Sequence, residues 1–485
     1  MNYRAIGFFT GKVLLIEAAL MSLPCLCSII YHEHDFVFFL ITAGILFIPG
    51  LILGLRQPNN MKMHAKEGFV AVALSWILLS AFGALPFLLS GAIPNYIDCL
   101  FETVSGFTTT GATILNDIEK LGHGLLFWRG FTHWIGGMGV LVFILAIIPS
   151  SGSNAMFIMR AEVPGPSVGK LSSKIKDTAK TLYILYLILT VFEVVMLCAG
   201  GMSFYDALVH SFATAGTGGF SSYNKSVEFF NNPYFEIVIA VFMFLFGMNF
   251  NIFYMLIVGK IREALKSEEL RVYFFIVLIS TICICFDIRG LYSSLSDSLR
   301  ASFFQVSSIM TTTGFTTTNF NYWPSFSKIF LLLLMFVGGC AGSTAGGLKV
   351  ARLIVLFKSA KREIKRMAHP HLVSVVTFEE KPLDEKRTSA TNLYLTVYFC
   401  ILIISLLLVS LEKKDVMDIF SSVISCFNNV GPIISTNGPL VNYSNFSVLS
   451  KLVLILDMLL GRLELFPILI LFLPSIWFKN SNKAY

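Results

Sequence analysis

The feature that most restricts this chain is an order of segments repeated four times. A long apolar run is followed by a short half-apolar one, then by a cluster of small residues, then by a second long apolar run. The clusters are Thr109-Thr110-Gly111, Gly216-Thr217-Gly218, Thr312-Thr313-Gly314 and Asn429-Val430-Gly431. About 20 apolar residues span a bilayer as a helix, and about a dozen do not, so each short segment reads as a re-entrant pore helix. Threonine and glycine turns recurring between membrane helices are what one chain needs to close a ring of backbone carbonyls around a dehydrated cation.

Composition agrees. Of 485 residues, 13% are charged and 55% hydrophobic, whereas a soluble domain carries about 25% charged residues. The apolar runs predict two opening helices near 7–30 and 36–55. Outer helices are expected near 69–90, 179–200, 271–289 and 391–411, pore helices at 96–108, 204–215, 297–311 and 416–428, and inner helices near 125–149, 233–259, 327–358 and 447–477. The fold expected is an all-α polytopic membrane protein. Its parts are an N-terminal two-helix element (1–66) and four outer helix, pore helix, inner helix repeats in pseudo-four-fold symmetry (67–176, 177–267, 268–386 and 387–485). The first run carries Arg4 and Lys12 and shows no small-residue cleavage site, so it reads as a retained helix rather than a signal peptide.

Charge placement orients the chain. Arg4, Lys12, Arg56, Lys62, Lys66, Arg160, Lys170, Lys174, Lys176, Lys180, Lys260, Arg262, Lys266, Arg271, the run from Lys349 to Arg387, Lys479 and Lys483 all fall on one side of this arrangement. The positive-inside rule makes that side cytoplasmic, with both termini inside and the four clusters outside. The formal charge of +7 thus follows the membrane sides and does not indicate nucleic acid. The linker from Lys358 to Arg387 reads equally as a partner surface and as a basic anchor on anionic lipid. Nine cysteines lie scattered, mostly in apolar runs, with no second pair to complete a zinc site.

Dehydrating a monovalent cation requires several oxygen dipoles at once. Carbonyls of Thr109, Thr110, Gly216, Thr217, Thr312, Thr313, Asn429 and Val430 are the candidates, and Gly111, Gly218, Gly314 and Gly431 allow a backbone path that side chains would obstruct. Asp98, Asp206 and Asp418 open three pore helices, where a carboxylate suits the dipole and leaves the negative end facing the ring. In the third repeat Asp297 lies further back and Arg300 is nearer the equivalent place. N-capping alone explains any one of these aspartates equally well.

Two further devices lie below. Gly338, Gly339, Gly342, Gly346 and Gly347 interrupt the third inner helix, and glycine costs about 1 kcal/mol of helix propensity relative to alanine. A pore-lining loop acting as a gate is expected there, with close helix packing as the competing reading. Arg462 and Glu464 sit in the last inner helix, where arginine costs about 2.5–3.5 kcal/mol on insertion scales. Arg462 is read as an electrostatic barrier or latch near the glycine loop, with Glu464 as counter-charge; structural pairing alone is the other account. Pro467 should bend that helix.

Several motifs together resemble the Trk/Ktr/HKT superfamily of potassium transporters, most closely its bacterial TrkH-type membrane subunits. They are Phe107-Thr-Thr-Thr-Gly-Ala-Thr113, His133-Trp-Ile-Gly-Gly-Met-Gly139, Ala161-Glu-Val-Pro-Gly-Pro166, Gly218-Gly-Phe-Ser221, Thr313-Gly-Phe-Thr-Thr317, Gly338-Gly-Cys-Ala-Gly-Ser-Thr344, Asn428-Asn-Val-Gly-Pro432 and Gly461-Arg-Leu-Glu464. The resemblance implies one pore per subunit, potassium as the transported ion, no bound cofactor, a homodimer and control by a cytoplasmic nucleotide-binding TrkA-type subunit. It also implies a bacterial plasma membrane location. In sodium-permeable members a serine replaces the first-repeat filter glycine; here Gly111 is present. A Na+- or H+-coupled symporter of the same superfamily is the alternative. An enzyme is disfavoured, since no HExxH, paired carboxylates or Ser/His/Asp set stands out.

Overall fold

The computed structural model describes residues 1–55, 58, 64–139, 175–370, 374–436 and 442–477. Among the described residues six helices are long and apolar enough to cross a membrane, and Pro233–Phe246 with Phe250–Ile257, bent by 93° at a break, makes a seventh when the pair is counted as one broken span. The opening pair is Tyr3–Leu20, continued by Ser22–Ile30, against Phe36–Gly54. Small residues let these backbones meet: a Cβ on Gly11 would stand 2.5 Å from the amide nitrogen of Gly54, and one on Gly50 would press on Leu15.

The outer helices are Ala65–Gly83, Ile175–Ala199, Glu268–Ile288 and Glu385–Val409. They expose Leu187, Ile188, Phe275, Ile279, Ile403 and Leu407, as helices facing lipid do. The pore helices are Tyr96–Phe107, Phe204–Gly216, Leu295–Met310 and Val416–Phe427. Local chemistry starts them: the side chains of Asn95, Ser203 and Ser294 accept a backbone N–H of the first turn. The third pore helix starts two residues earlier than expected, at Leu295, and Asp297 falls in its first turn as Asp98, Asp206 and Asp418 do in theirs. Asp297 pairs with Arg300 at 3.0 Å, and Arg300 also holds Glu236 at 2.7 Å.

The inner helices depart from the expected continuous spans. The first, Tyr-free and glycine-rich at its end, runs His123–Gly137; its expected remainder through 149 lies beyond residue 139, outside the described residues, as does Ala161–Pro166. The second breaks at Gly247–Asn249, where Asn249 caps the following helix by accepting from the Asn251 amide. The third is Ser325–Val337 and Val350–Ala368, interrupted over the glycine-rich stretch as the sequence predicts. The fourth ends at Arg462 and resumes at Phe466–Leu471 with Pro467 in its first turn. Proline has no amide hydrogen and suits a helix start, so the bend is a full break placed before Pro467.

Broken spans leave main-chain groups that must find partners inside the protein. The breaks of the second and third inner helices answer each other. Cys340 donates its amide to the Gly247 carbonyl at 2.9 Å, and Phe250 donates to Gly342 at 3.2 Å. The Ala341 amide donates to Glu269 Oε1 at 2.6 Å.

Candidate functional site

Each pore helix ends in the same cap. The amides of Thr109, Thr217, Thr312 and Asn429 bond back to Gly106, Thr214, Ile309 and Cys426. The next amides, of Thr110, Gly218, Thr313 and Val430, reach Ser105, Ala213, Ser308 and Ser425 at 2.8–2.9 Å. This paired bonding is the Schellman cap, which usually places glycine in the left-handed conformation. Here threonine or asparagine occupies it, with φ of 55°, 54°, 57° and 57°. Non-glycine residues held there cost about 1–3 kcal/mol each and persist only where surroundings enforce them.

The enforcing surroundings are the neighbouring loops. Left-handed glycines follow two positions later, at Gly111, Gly219, Gly314 and Gly431. A Cβ on Gly111 would collide with the Gly218 carbonyl oxygen, one on Gly219 with that of Thr313, and one on Gly314 with that of Val430. A Cβ on Gly431 would stand 2.6 Å from the Thr110 carbonyl oxygen. The four contacts run first to second, second to third, third to fourth and fourth to first, so the loops close on themselves.

One expected position shifts. In the second repeat the left-handed pair is Thr217 and Gly219, so the equivalent triplet is Thr217-Gly218-Gly219 rather than Gly216-Thr217-Gly218. Gly216 is the last helical residue. Gly218 still excludes a side chain, for a different reason: its Cβ would strike the His133 ring. With Gly219 as reference, Asp206 stands the same thirteen places ahead as Asp98 and Asp418 do from Gly111 and Gly431.

Behind the loops lie residues that the sequence reading passed over. Glu102, His210, Gln305 and Ser422 share one position in the four pore helices, and all are buried. Glu102 meets Arg129 Nε at 2.6 Å, and His210 Nε2 lies 2.9 Å from Ser221 Oγ. Hydroxyls hold the other two loops: Ser308 donates to the Phe315 carbonyl at 2.6 Å and Ser421 to that of Ile434 at 2.9 Å. Glutamate and arginine inside apolar segments were a legible signal for this layer.

Beneath the ring the glycine-rich stretch forms a loop. Gly338, Gly342 and Gly347 have φ of 73°, 74° and 75°. Gly339 and Gly346 serve by closeness: a Cβ on Gly339 would lie 2.6 Å from that of Ala345, and one on Gly346 2.5 Å from the Asn428 carbonyl oxygen. The loop touches the ring directly, since the Gly346 amide donates to Thr312 Oγ1 at 2.6 Å.

Arg462 reaches the same place. Its guanidinium donates to the carbonyls of Gly136, Gly137 and Thr344, the last at 2.8 Å, and to Thr109 Oγ1 at 3.3 Å. It therefore ties the first inner helix, the first signature loop and the glycine loop together. Glu464 is not its counter-charge, contrary to expectation: Glu464 pairs with Arg352, whose guanidinium also lies 4.0 Å over the Tyr394 ring. A cavity of about 40 Å³, lined by Gly346, Gly347, Lys349, Arg462 and Glu464 among others, opens there. At that size it admits a few water molecules.

The family model described as "TrkH: Cation transport protein" matches residues 34–479. The Trk system potassium uptake protein TrkH of Escherichia coli strain K12 is 37% identical over 98% of this chain and 100% of its own length. TrkG of the same organism, also a Trk system potassium uptake protein, is 32% identical over 98% and 99%. The crystal structure of the potassium transporter TrkH from Vibrio parahaemolyticus matches with a TM-score of 0.89 at 32% identity, covering 98% of this chain and 100% of that one. With four pore helices capped alike and matches that run nearly end to end, the chain belongs to the TrkH family of cation transport proteins.

Proposed function

We propose that this chain admits potassium ions into the cell through the ring of signature loops, driven by the negative interior at about 2.3 kcal/mol per charge per 100 mV. The observation that carries the reading is the cyclic contact of the four loops, each glycine lying against a carbonyl oxygen of the next. The ion would be held by main-chain oxygens of Thr109, Thr110 and Gly111, Thr217, Gly218 and Gly219, Thr312, Thr313 and Gly314, and Asn429, Val430 and Gly431. The loop face is outward on this reading and both termini are cytoplasmic, as the distribution of lysine and arginine supports.

The glycine loop and Arg462 form the gate. They occupy the region just under the ring, and a guanidinium there opposes a passing cation. Control by a cytoplasmic nucleotide-binding subunit of the TrkA type, and assembly as a homodimer, follow from the family resemblance. The helix Val350–Ala368 supports the first, since it exposes Lys361, Lys365 and Arg366 beside Phe357, Ile364 and Met367.

Tracer uptake into vesicles containing the purified protein tests the function. Potassium and rubidium are expected to enter well ahead of sodium, and Gly111→Ser should raise sodium entry relative to potassium. Equal entry of all three ions in the unmodified protein would overturn the selectivity. Uptake that requires a sodium or proton gradient would move the assignment to a coupled symporter.

A further inference from the structure

We infer that the buried ion pair of Glu102 and Arg129 fixes the spacing of the ring at the seam between the first and second loops, and so helps decide which alkali ion passes. The inference rests on the proposed ion-conducting role of that ring. Each partner grips the exit of one loop. Glu102 accepts from Thr113 Oγ1 at 2.9 and 3.1 Å and from the Ile114 amide at 3.0 Å, just after Gly111. Arg129 donates Nη1 to the Ser221 carbonyl at 2.9 Å and lies 3.5 Å over the Phe220 ring, just after Gly219. The bond between them, Arg129 Nε to Glu102 Oε1 at 2.6 Å, joins the two loops, and the side chains are 2% and 0% exposed.

The other seams carry charged contacts that are less buried, Glu236 with Arg300 between the second and third repeats, Lys328 with the Thr436 carbonyl between the third and fourth, and Asp98 with Lys451 between the fourth and first, and neutral bonds also join their loops. Glu228 donates its amide to the Thr316 carbonyl at 3.2 Å, Ser435 donates its amide to Asn321 Oδ1 at 3.0 Å, and the Tyr443 amide donates to Thr113 at 2.9 Å. Neutral hydrogen bonds and part-exposed ion pairs yield more readily than a fully desolvated ion pair, whose separation strands a charge away from water. The first seam, whose ion pair is the least exposed to water and bonds both loop exits, is accordingly the stiffest. A ring that cannot contract there cannot close its oxygens around the smaller sodium ion, whereas potassium fits the spacing already held.

Arg129→Lys in the full-length protein tests this. Lysine keeps the charge but lacks the planar fork that reaches Glu102 and Ser221 together. In vesicles the ratio of potassium to sodium entry is expected to fall about tenfold, equivalent to about 1.4 kcal/mol of discrimination, while potassium still enters. Arg300→Lys, at the 2.7 Å Glu236 pair away from the loop exits, should keep the unmodified ratio. A purely architectural role would lower folded yield and the entry of both ions together, leaving the ratio unchanged, and that result overturns the inference. Should Arg129→Lys give no folded protein, Thr113→Val decides: it removes one hydroxyl donor to Glu102 and leaves the ion pair, and an unmodified ratio there is equally fatal. An unmodified protein that fails to discriminate the ions refutes the proposed function itself; a discriminating one whose variants discriminate equally refutes only this inference.

Discussion

Glu464 forms its ion pair with Arg352, while Arg462, two positions earlier on the chain, spends its donors on oxygens of three other segments. The chain conformation separates them. The last inner helix ends at Arg462, and Glu464 and Leu465 turn through φ of 57° and 64°. That left-handed step carries the carboxylate toward the helix after the glycine loop and leaves the arginine beneath the ring. Two neighbouring charges thereby acquire different places, one binding two inner helices together and the other lying beneath the ring, in the proposed ion path.

On the proposed gating role, removing the Arg462 charge should open the pore. At about 5 Å and an effective dielectric of 20, a cation and a guanidinium repel by about 3 kcal/mol, so Arg462→Ala is expected to raise potassium entry by roughly 10- to 100-fold. Arg462→Lys should raise it far less. Tracer flux at matched protein density reads both, and an unaltered flux in the alanine variant would remove the gating role.

The tethering pair should show itself in stability. Glu464→Gln leaves Arg352 with its ring contact to Tyr394 but without its carboxylate. A loss of about 2 kcal/mol is expected for this partly exposed pair, below the 3–5 kcal/mol typical of fully buried ones. Thermal unfolding in detergent should register a lower midpoint for Glu464→Gln. An unchanged midpoint would mean that the pair contributes nothing.

Ring closure can be separated from backbone strain. Gly201 has φ of 96° with open space around it, whereas Gly219 has φ of 78° with the Thr313 carbonyl oxygen where a Cβ would go. Gly201→Ala should cost about 1 kcal/mol of stability through its left-handed backbone and leave flux intact. Gly219→Ala should abolish selective flux. If both variants conduct alike, the second loop does not contribute to the ring as the contacts indicate.

Acid should loosen a link between the first two repeats. The Asn224 amide group, 3.0 Å from Asp117 Oδ1, and then Lys120 hold the Asp117 carboxyl below its usual 3.8. A depressed folded-state value means stability that is present above about pH 4 and lost as pH falls through the lowered value. Asn224→Ala should therefore lower the unfolding midpoint at neutral pH, and the difference from the unmodified protein should shrink as the medium approaches about pH 3. A difference independent of pH would assign the effect to other contacts of Asn224.

Much of this architecture can be read from the chain. Helix positions followed from the lengths of apolar runs, because a span and a re-entrant segment differ in residue count alone. The interruption at Gly338–Gly347 was visible because five glycines within ten residues weigh against a continuous helix, although close helix packing was a competing account. The register of the second loop was not: Gly216, Gly218 and Gly219 are all glycines, and only the neighbouring carbonyl of Thr313 selects which one must be left-handed. The break at Asn249 was equally hidden, since its freed groups are answered by Cys340 and Gly342 some ninety residues away.

By itself the sequence determined that this chain would cross the membrane many times and dip into it four times, for both follow from hydrophobic length and local turn chemistry. Tertiary structure decided which charges meet. Glu102 found Arg129, Glu464 found Arg352 and Arg462 found the ring, because pairing across separate helices depends on where each backbone ends and turns, and spacing along the chain carries no record of that.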